Sequence, residues 1–152
     1  MKIAAGIKSG HGGNLLAATP KNFFPEVGNR LKRLQHKGVS RSLRYMARHY
    51  TRPIQISELV DVSGMSPRGL VKAFNRHLGQ SPGVVIRQAR IEFAKQLLME
   101  QDLPLKTIAT TVGFRSQNTF CIAFSRATGM APKRYQRRIW LSVFNTVTKL
   151  KK

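Results

Sequence analysis

Two short stretches of this chain, fifty residues apart, carry side chains that suit the edges of nucleic-acid bases. They comprise Arg68, Val71, Lys72 and Asn75 in the first stretch and Gln117, Asn118, Cys121 and Ile122 in the second. Arginine and lysine can donate to guanine O6 and N7, asparagine and glutamine can pair with adenine N6 and N7, and aliphatic groups can touch thymine methyls. The spacing within each stretch is helical. The pattern therefore predicts two helices that read bases.

Other kinds of chemistry find little support. Cys121 is the single cysteine, so no internal disulfide can form and a reducing compartment is expected. The four histidines lack metal-ligand spacing: His11, His36, His49 and His77. No Ser/His/Asp set is recognisable, and the glycines around Lys8 lack the spacing of a phosphate-binding loop. The sequence predicts a protein that is not an enzyme and uses no metal or cofactor.

The charge of the chain is strongly unbalanced. There are 27 Lys and Arg against six Asp and Glu, which gives a formal net charge of +21 and a pI of about 11.6. Such a basic fold usually meets a polyanion, and nucleic acid is favoured here over an anionic membrane. No apolar run is long enough for a transmembrane helix. We expect a cytoplasmic protein whose partner is double-stranded DNA and which has no membrane partner.

Part of the chain occurs twice, which indicates one structural module used two times. Seven positions recur at a spacing of fifty, with Ser66, Leu70, Ala73, Phe74, Arg76, Gly79 and Pro82 matching Ser116, Phe120, Ala123, Phe124, Arg126, Gly129 and Pro132. Upstream the spacing is 49, with Ile56, Leu59, Val60 and Gly64 matching Leu105, Ile108, Ala109 and Gly113. The one-residue difference falls where each module should turn.

Each copy predicts a helix-turn-helix. In the first copy, an apolar stripe from Ile56 to Val60 indicates a short helix, and Gly64 permits a tight turn. Ser66 then caps a second amphipathic helix, which Gly79 ends. Two short helices joined by a glycine-containing turn are typical of this motif. The second copy repeats the same pattern.

Further helices are predicted around the two modules. A leading helix that begins near Val39 stops before Pro53. A helix from Ser81 to Glu100 joins the modules and is roughly 28 Å long at 1.5 Å per residue. Another helix begins at Pro132. The expected fold class is all-α, with two helix-turn-helix subdomains joined by a long bridging helix.

Composition divides the chain into three parts. Residues 1–38, rich in glycine, are interpreted as a flexible N-terminal segment or the remnant of a linker. Residues 39–140 form the folded domain, and residues 141–152 form a basic C-terminal tail. Within the domain, the first module spans 39–80, the bridging helix 81–100 and the second module 101–140.

A series of ordered residues in the bridging helix and second module carries a family resemblance. It comprises Arg90-Ile91-Glu92, Ala94-Lys95-Gln96-Leu97-Leu98, Leu105-Lys106-Thr107-Ile108-Ala109, Val112-Gly113-Phe114, Ser116, Phe120, Phe124, Gly129, Pro132 and Tyr135. These positions resemble the DNA-binding domain of AraC/XylS-family transcription regulators, over residues 39–140. The leading segment and first module look most like the branch of xylose-operon regulators.

The resemblance implies a seven-helix domain that binds bacterial promoters sequence-specifically, with the second helix of each module in a major groove. It places base contacts at Arg68, Val71 and Lys72. Contact with RNA polymerase and a place in the bacterial nucleoid are also implied. The chain resembles stand-alone members, or a fragment of a longer regulator. Cys121 and Ile122 replace a polar and a basic residue common in the family, so the first module is expected to be the stronger base reader.

Six further residues are expected to contact phosphate: Ser66, Arg76, Ser116, Arg126, Lys133 and Arg134. Such contacts position the protein but carry little sequence information. The bridging helix approaches the separation of about 34–36 Å between successive major-groove segments on one face of DNA. One monomer is therefore expected to span about two turns. Its half-sites are expected in direct order, since a tandem repeat does not require a palindrome.

The alternative is a non-specific, basic architectural protein that binds DNA or RNA. Its charge alone would suit that role, and such proteins often stack aromatic side chains on bases. Four aromatic residues, however, fall on the predicted core stripes: Phe74, Phe120, Phe124 and Tyr135. The sequence therefore favours specific duplex binding.

Overall fold

The fold is built from helices. A computed structural model describes residues 36–100 and 102–150. This part of the chain contains seven α-helices and no strand: α1 (Lys37–His49), α2 (Ile56–Ser63), α3 (Pro67–Leu78), α4 (Pro82–Glu100), α5 (Leu105–Thr111), α6 (Gln117–Thr128) and α7 (Pro132–Leu150). The predicted all-α architecture is confirmed, with α2–α3 and α5–α6 as the two helix-turn-helix units and α4 as the bridge.

Two helices cross the predicted domain boundaries. Helix α1 begins at Lys37, slightly before residue 39. Helix α7 continues to Leu150, so the boundary at 140 falls inside a helix. No proline or glycine follows Pro132 in the sequence, and nothing therefore breaks the helix there. Most of the predicted flexible segment 1–38 lies outside the described residues.

The second helix of each module begins and ends as the repeat predicts. The hydroxyls of Ser66 and Ser116 each accept a hydrogen bond of 3.1 Å from the backbone N–H three residues on. Gly79 and Gly129 follow α3 and α6 with φ angles of 70° and 76°, the left-handed conformation that glycine adopts at little cost. The two helices predicted to read bases therefore start and stop at equivalent positions.

Two apolar clusters form the interior, one for each module. The first contains Val39, Leu43, Met46, Leu59, Leu70, Ala73, Phe74 and Val85. The second contains Tyr50, Ala89, Ile91, Phe93, Ala94, Leu97, Leu98, Ile108, Ala109, Val112, Phe114, Phe120 and Phe124. Helix α4 contributes to both clusters, with Val85 in the first and Ile91 among its residues in the second. Tyr50, at the end of α1, packs in the second cluster, edge-on to Phe93 with ring centroids 5.7 Å apart.

A carboxylate organises the start of α2, which supports α3. Glu58 Oε2 accepts hydrogen bonds from Arg52 Nη2 at 2.6 Å and from the Tyr45 hydroxyl at 2.5 Å. Its Oε1 accepts from the Gln55 backbone N–H at 2.8 Å. The hydrogen bond from Arg52, followed by those from Gln55 and Tyr45, lowers the pKa of Glu58 to about 2.

The lowered pKa of Glu58 predicts a pH-dependent contribution to stability. A free glutamate ionises at about pH 4.3. Because the folded state holds a lower pKa, the contribution is fully present above about pH 4.3 and is lost as the pH falls through about 2. We expect the difference in unfolding free energy between wild type and Glu58→Gln, measured by urea titration, to shrink over that range. A difference that does not change with pH, or one matched by Glu92→Gln, would contradict this.

Candidate nucleic-acid interface

Helix α3 presents its predicted base-reading residues on one open face. Its opposite face holds Leu70, Ala73 and Phe74 in the first cluster. The exposed face carries Arg68, Val71, Lys72 and Asn75 at positions i, i+3, i+4 and i+7. Val71 is 37% exposed, so its apolar side chain is accessible on this face. The four side chains form a continuous surface of three hydrogen-bonding groups and one apolar group.

Helix α6 offers a different surface on the same scaffold. Gln117 and Asn118 are exposed in its first turn, and Ile122 is 47% exposed. Cys121 is half-buried and packs against the second cluster. Burial raises the pKa of its thiol above the ordinary value, so the neutral thiol is favoured. Cys121 therefore lies at the border between the exposed face and the core.

The predicted phosphate-binding residues all lie on the surface. The exposed set comprises Ser66, Arg76, Ser116, Arg126, Lys133 and Arg134. Capping uses an acceptor lone pair of each serine hydroxyl, and the Ser116 hydroxyl also shares a hydrogen bond of 2.9 Å with the Thr119 hydroxyl. Arg76 and Arg126 lie in the last turns of α3 and α6, where a cation also interacts favourably with the helix dipole. Lys133 and Arg134 lie in the first turn of α7.

Acidic groups do not neutralise the recognition faces. Neither α3 nor α6 contains an aspartate or glutamate. In the part of the chain that the structure describes, the ion pairs join Arg52 to Glu58 and Lys95 to Glu92, each at 2.6 Å. The cations on α3 and those in the first turn of α7 take no part in these pairs and can meet a polyanion.

Helix α1 carries a basic face that the sequence analysis did not single out. Its exposed members are Lys37, Arg41, Arg44 and Arg48. Their spacing of four, three and four residues places them on one side of the helix. Leu43 and Met46 are fully buried on the other side. The regular spacing of these cations was the signal in the sequence, and their charges add to the positive field of the first module.

Other kinds of site are not apparent in residues 36–100 and 102–150. No three His, Cys, Asp or Glu side chains of this region come together as a metal site would require. None of its helices is both long and apolar enough to cross a membrane.

The chain is similar in sequence to known regulators. The family model described as "Helix-turn-helix domain" matches residues 59–138. The probable transcriptional regulator LumQ of Photobacterium leiognathi is 35% identical over 92 residues, which cover 60% of this chain and 37% of LumQ. The chain spans about two fifths of the length of the curated relatives it matches.

The fold is also similar to solved structures. The C-terminal domain of AraT, a response regulator from Geobacillus stearothermophilus, has a TM-score of 0.63 at 29% identity, covering 66% of this chain and 84% of that one. The DNA-binding domain of AdpA, in complex with a target DNA, has a TM-score of 0.63 at 22% identity, and the match covers 67% of this chain and 92% of the AdpA domain. The similarity to AdpA concerns the fold alone.

Proposed function

Since the chain belongs to the AraC-type helix-turn-helix family of sequence-specific DNA-binding transcription regulators, we propose that it inserts α3 and α6 into successive major-groove segments of a promoter. The observation that carries the proposal is the pair of open faces on equivalent, capped helices. Each face sits on its own buried cluster. A helix held this way can enter a groove without exposing its core.

The two faces differ in chemistry, and the bound DNA site is therefore asymmetric. Arg68 and Lys72 can hold guanine acceptors, with Val71 against a thymine methyl. Gln117 and Asn118 can pair with adenine. With Asn75 as a fourth contact, the first module reads bases more strongly. In the second module, Ile122 contributes an apolar contact and Cys121 only a small neutral surface.

Geometry favours a monomer on half-sites in direct order. Helix α4 has 19 residues and is roughly 28 Å long at 1.5 Å per residue. That length approaches the groove repeat of about 34–36 Å. The six phosphate-binding residues would then hold the backbone and supply affinity without sequence information.

Several finer assignments remain part of the proposal. Contact with RNA polymerase, a place in the bacterial cytoplasm and nucleoid, and membership of the xylose-operon branch follow from the family resemblance. The absence of catalysis follows in the same way, because the relatives are transcriptional regulators. The division into residues 1–38, 39–140 and 141–152 is likewise proposed as functional, with only the middle part reading bases.

The alternative role, non-specific binding of DNA or RNA, finds little support in the aromatic residues. Phe74, Phe120 and Phe124 are fully buried, and Tyr135 packs edge-on to Phe124 with centroids 5.3 Å apart. The three buried phenylalanines cannot stack on bases without unfolding. Structured RNA that competes as well as duplex DNA would support the alternative.

Selection of bound duplexes from a random pool tests specific recognition. We expect a two-part site in direct order, with half-sites about 10 bp apart. Arg68→Ala should change the preferred base at one position, at a cost of about 1–3 kcal/mol in binding free energy. Arg126→Ala should weaken all sequences alike, because it removes a phosphate contact.

Three results would count against the proposal. A strictly palindromic site would contradict the direct order, and a footprint of one half-site would contradict the use of both helices. If Arg68→Ala and Arg126→Ala weaken all sequences uniformly, base readout by the first module fails. Thermal unfolding of each variant serves as the control, since both side chains are exposed.

A further inference from the structure

A half-buried arginine on the bridging helix touches both modules. Arg90 Nε donates to the carbonyl oxygen of Tyr50 at 2.8 Å, and its Nη2 donates to that of Arg52 at 2.7 Å. Both acceptors lie where the chain leaves α1. The guanidinium carbon also lies 5.9 Å from the ring centroid of Phe114, in the turn of the second module. One side chain therefore joins α4 to the first module and to the second.

The chemistry of this contact requires arginine. Tyr50 is the C-cap of α1, so its carbonyl lies at the end of that helix. The planar guanidinium donates in two directions at once and can lie over an aromatic ring. A lysine ammonium is a single point charge and cannot reproduce this fork.

The turn of the second module also lies close to the segment Tyr50–Arg52. Gly113 has a φ of 90°, and a Cβ there would lie 2.9 Å from the carbonyl oxygen of Thr51 and 3.0 Å from Arg90 Nε. Tyr50, the C-cap residue of α1, packs in the second cluster. The segment Tyr50–Arg52 is thus held between α4 and the turn at Gly113.

We propose that Arg90 is a positioning residue that holds the first module against the second and so sets the half-site spacing that the protein accepts. This inference rests on the proposed function, because spacing matters only if both helices enter grooves. Each inserted base pair moves a half-site by roughly 3.4 Å and turns it by roughly 34°. A rigid pair of modules cannot follow such a change, whereas a loosened pair can.

A merely structural role for Arg90 makes a different prediction. Loss of stability alone would lower the active fraction equally for every DNA. A positioning role instead changes the dependence of affinity on spacing, while the affinity for one isolated half-site stays the same.

The first experiment measures affinity for duplexes whose half-sites are separated by zero, one, two or five additional base pairs. Wild type is expected to lose about tenfold in affinity with two additional base pairs, because one module then disengages. Arg90→Met should bind the natural spacing more weakly and lose only about twofold on the same insertion. Arg90→Lys should lie between them. Arg87→Met, which removes an exposed cation from the same helix, should keep the wild-type profile.

The second experiment needs no DNA. Spin labels on Ser57→Cys in α2 and Thr107→Cys in α5, in a Cys121→Ser background, report the distance between modules by double electron–electron resonance. Both labelled positions are exposed. We expect a broader distance distribution in Arg90→Met and Arg90→Lys than in wild type and Arg87→Met. If Arg90→Met does not fold, the comparison of Arg90→Lys with wild type still tests the proposal.

The outcomes distinguish a failure of the positioning role of Arg90 from a failure of the proposed binding to two major-groove segments. Unchanged distance distributions in both Arg90 variants overturn the positioning role, even if DNA binding weakens. The positioning role is also overturned if both Arg90 variants lose as much affinity as wild type when base pairs are inserted between the half-sites. If wild type shows no spacing preference, the proposed use of two grooves fails, and the distance measurement alone decides whether Arg90 holds the modules together.

Discussion

Phe124→Ala is expected to lower the free energy of unfolding by about 3–5 kcal/mol. The ring is fully buried in the second cluster. It packs edge-on to Phe120 and Tyr135, with centroids 5.6 Å and 5.3 Å apart. Truncation removes these contacts and leaves a cavity that the surrounding helices can close only in part. Urea unfolding followed by circular dichroism measures the loss.

Two further variants test whether burial causes the effect of Phe124→Ala. Ile122→Ala, on the exposed face of the same helix, should change the unfolding free energy by less than about 0.5 kcal/mol. Phe74→Ala, at the matching position of the first module, should cost about 3–5 kcal/mol. A loss of less than about 1 kcal/mol in Phe124→Ala would contradict the tight packing of the second cluster.

Gly113→Ala is the second substitution expected to be severe. The left-handed backbone at this position, with φ of 90°, costs a non-glycine residue about 1–2 kcal/mol. The new Cβ would also lie 2.9 Å from a backbone oxygen, that of Thr51, which cannot move as a side chain can. Overpacking of this kind adds about 1–3 kcal/mol. We therefore expect a total loss of about 2–5 kcal/mol in unfolding free energy.

Gly79→Ala provides the matched control for Gly113→Ala. Its φ of 70° imposes a similar backbone penalty, but no atom lies within 4 Å of the added Cβ. It should cost only about 1–2 kcal/mol. The difference between the two variants, measured by urea titration, isolates the close approach of the modules. Equal losses would show that the contact between Gly113 and Thr51 is not tight.

The local features of the fold were predictable because they depend on residues close together in the chain. Ser66 and Ser116 were recognised as caps, since a serine hydroxyl bonds to an amide three residues on. Gly79 and Gly129 were recognised as stops, since glycine adopts positive φ readily. Apolar residues at helical spacing predict the buried clusters. The remaining positions of the same helices are therefore the candidates for base contact.

The features that the sequence does not predict depend on contacts between residues far apart in the chain. Tyr50 directly follows α1 in the first module, but it packs in the second cluster. The half-burial of Cys121 depends on its packing against the second cluster. Arg90 belongs to the family motif, but the sequence does not reveal its contacts because its acceptors lie 38 and 40 residues away. The periodicity of apolar residues in a helix does not reveal which residues of distant segments come into contact.

The repeated module, its caps and turns, and the unequal chemistry of its two exposed faces can all be recognised in the order of residues. These features follow from helical periodicity and from the conformational preferences of serine, proline and glycine. The way in which one module lies against the other depends instead on the packing of the folded chain. That arrangement depends on Arg90, Gly113 and the segment Tyr50–Arg52, which meet in space although they are far apart in the chain. Contacts of this kind arise from close packing, which the order of residues does not reveal.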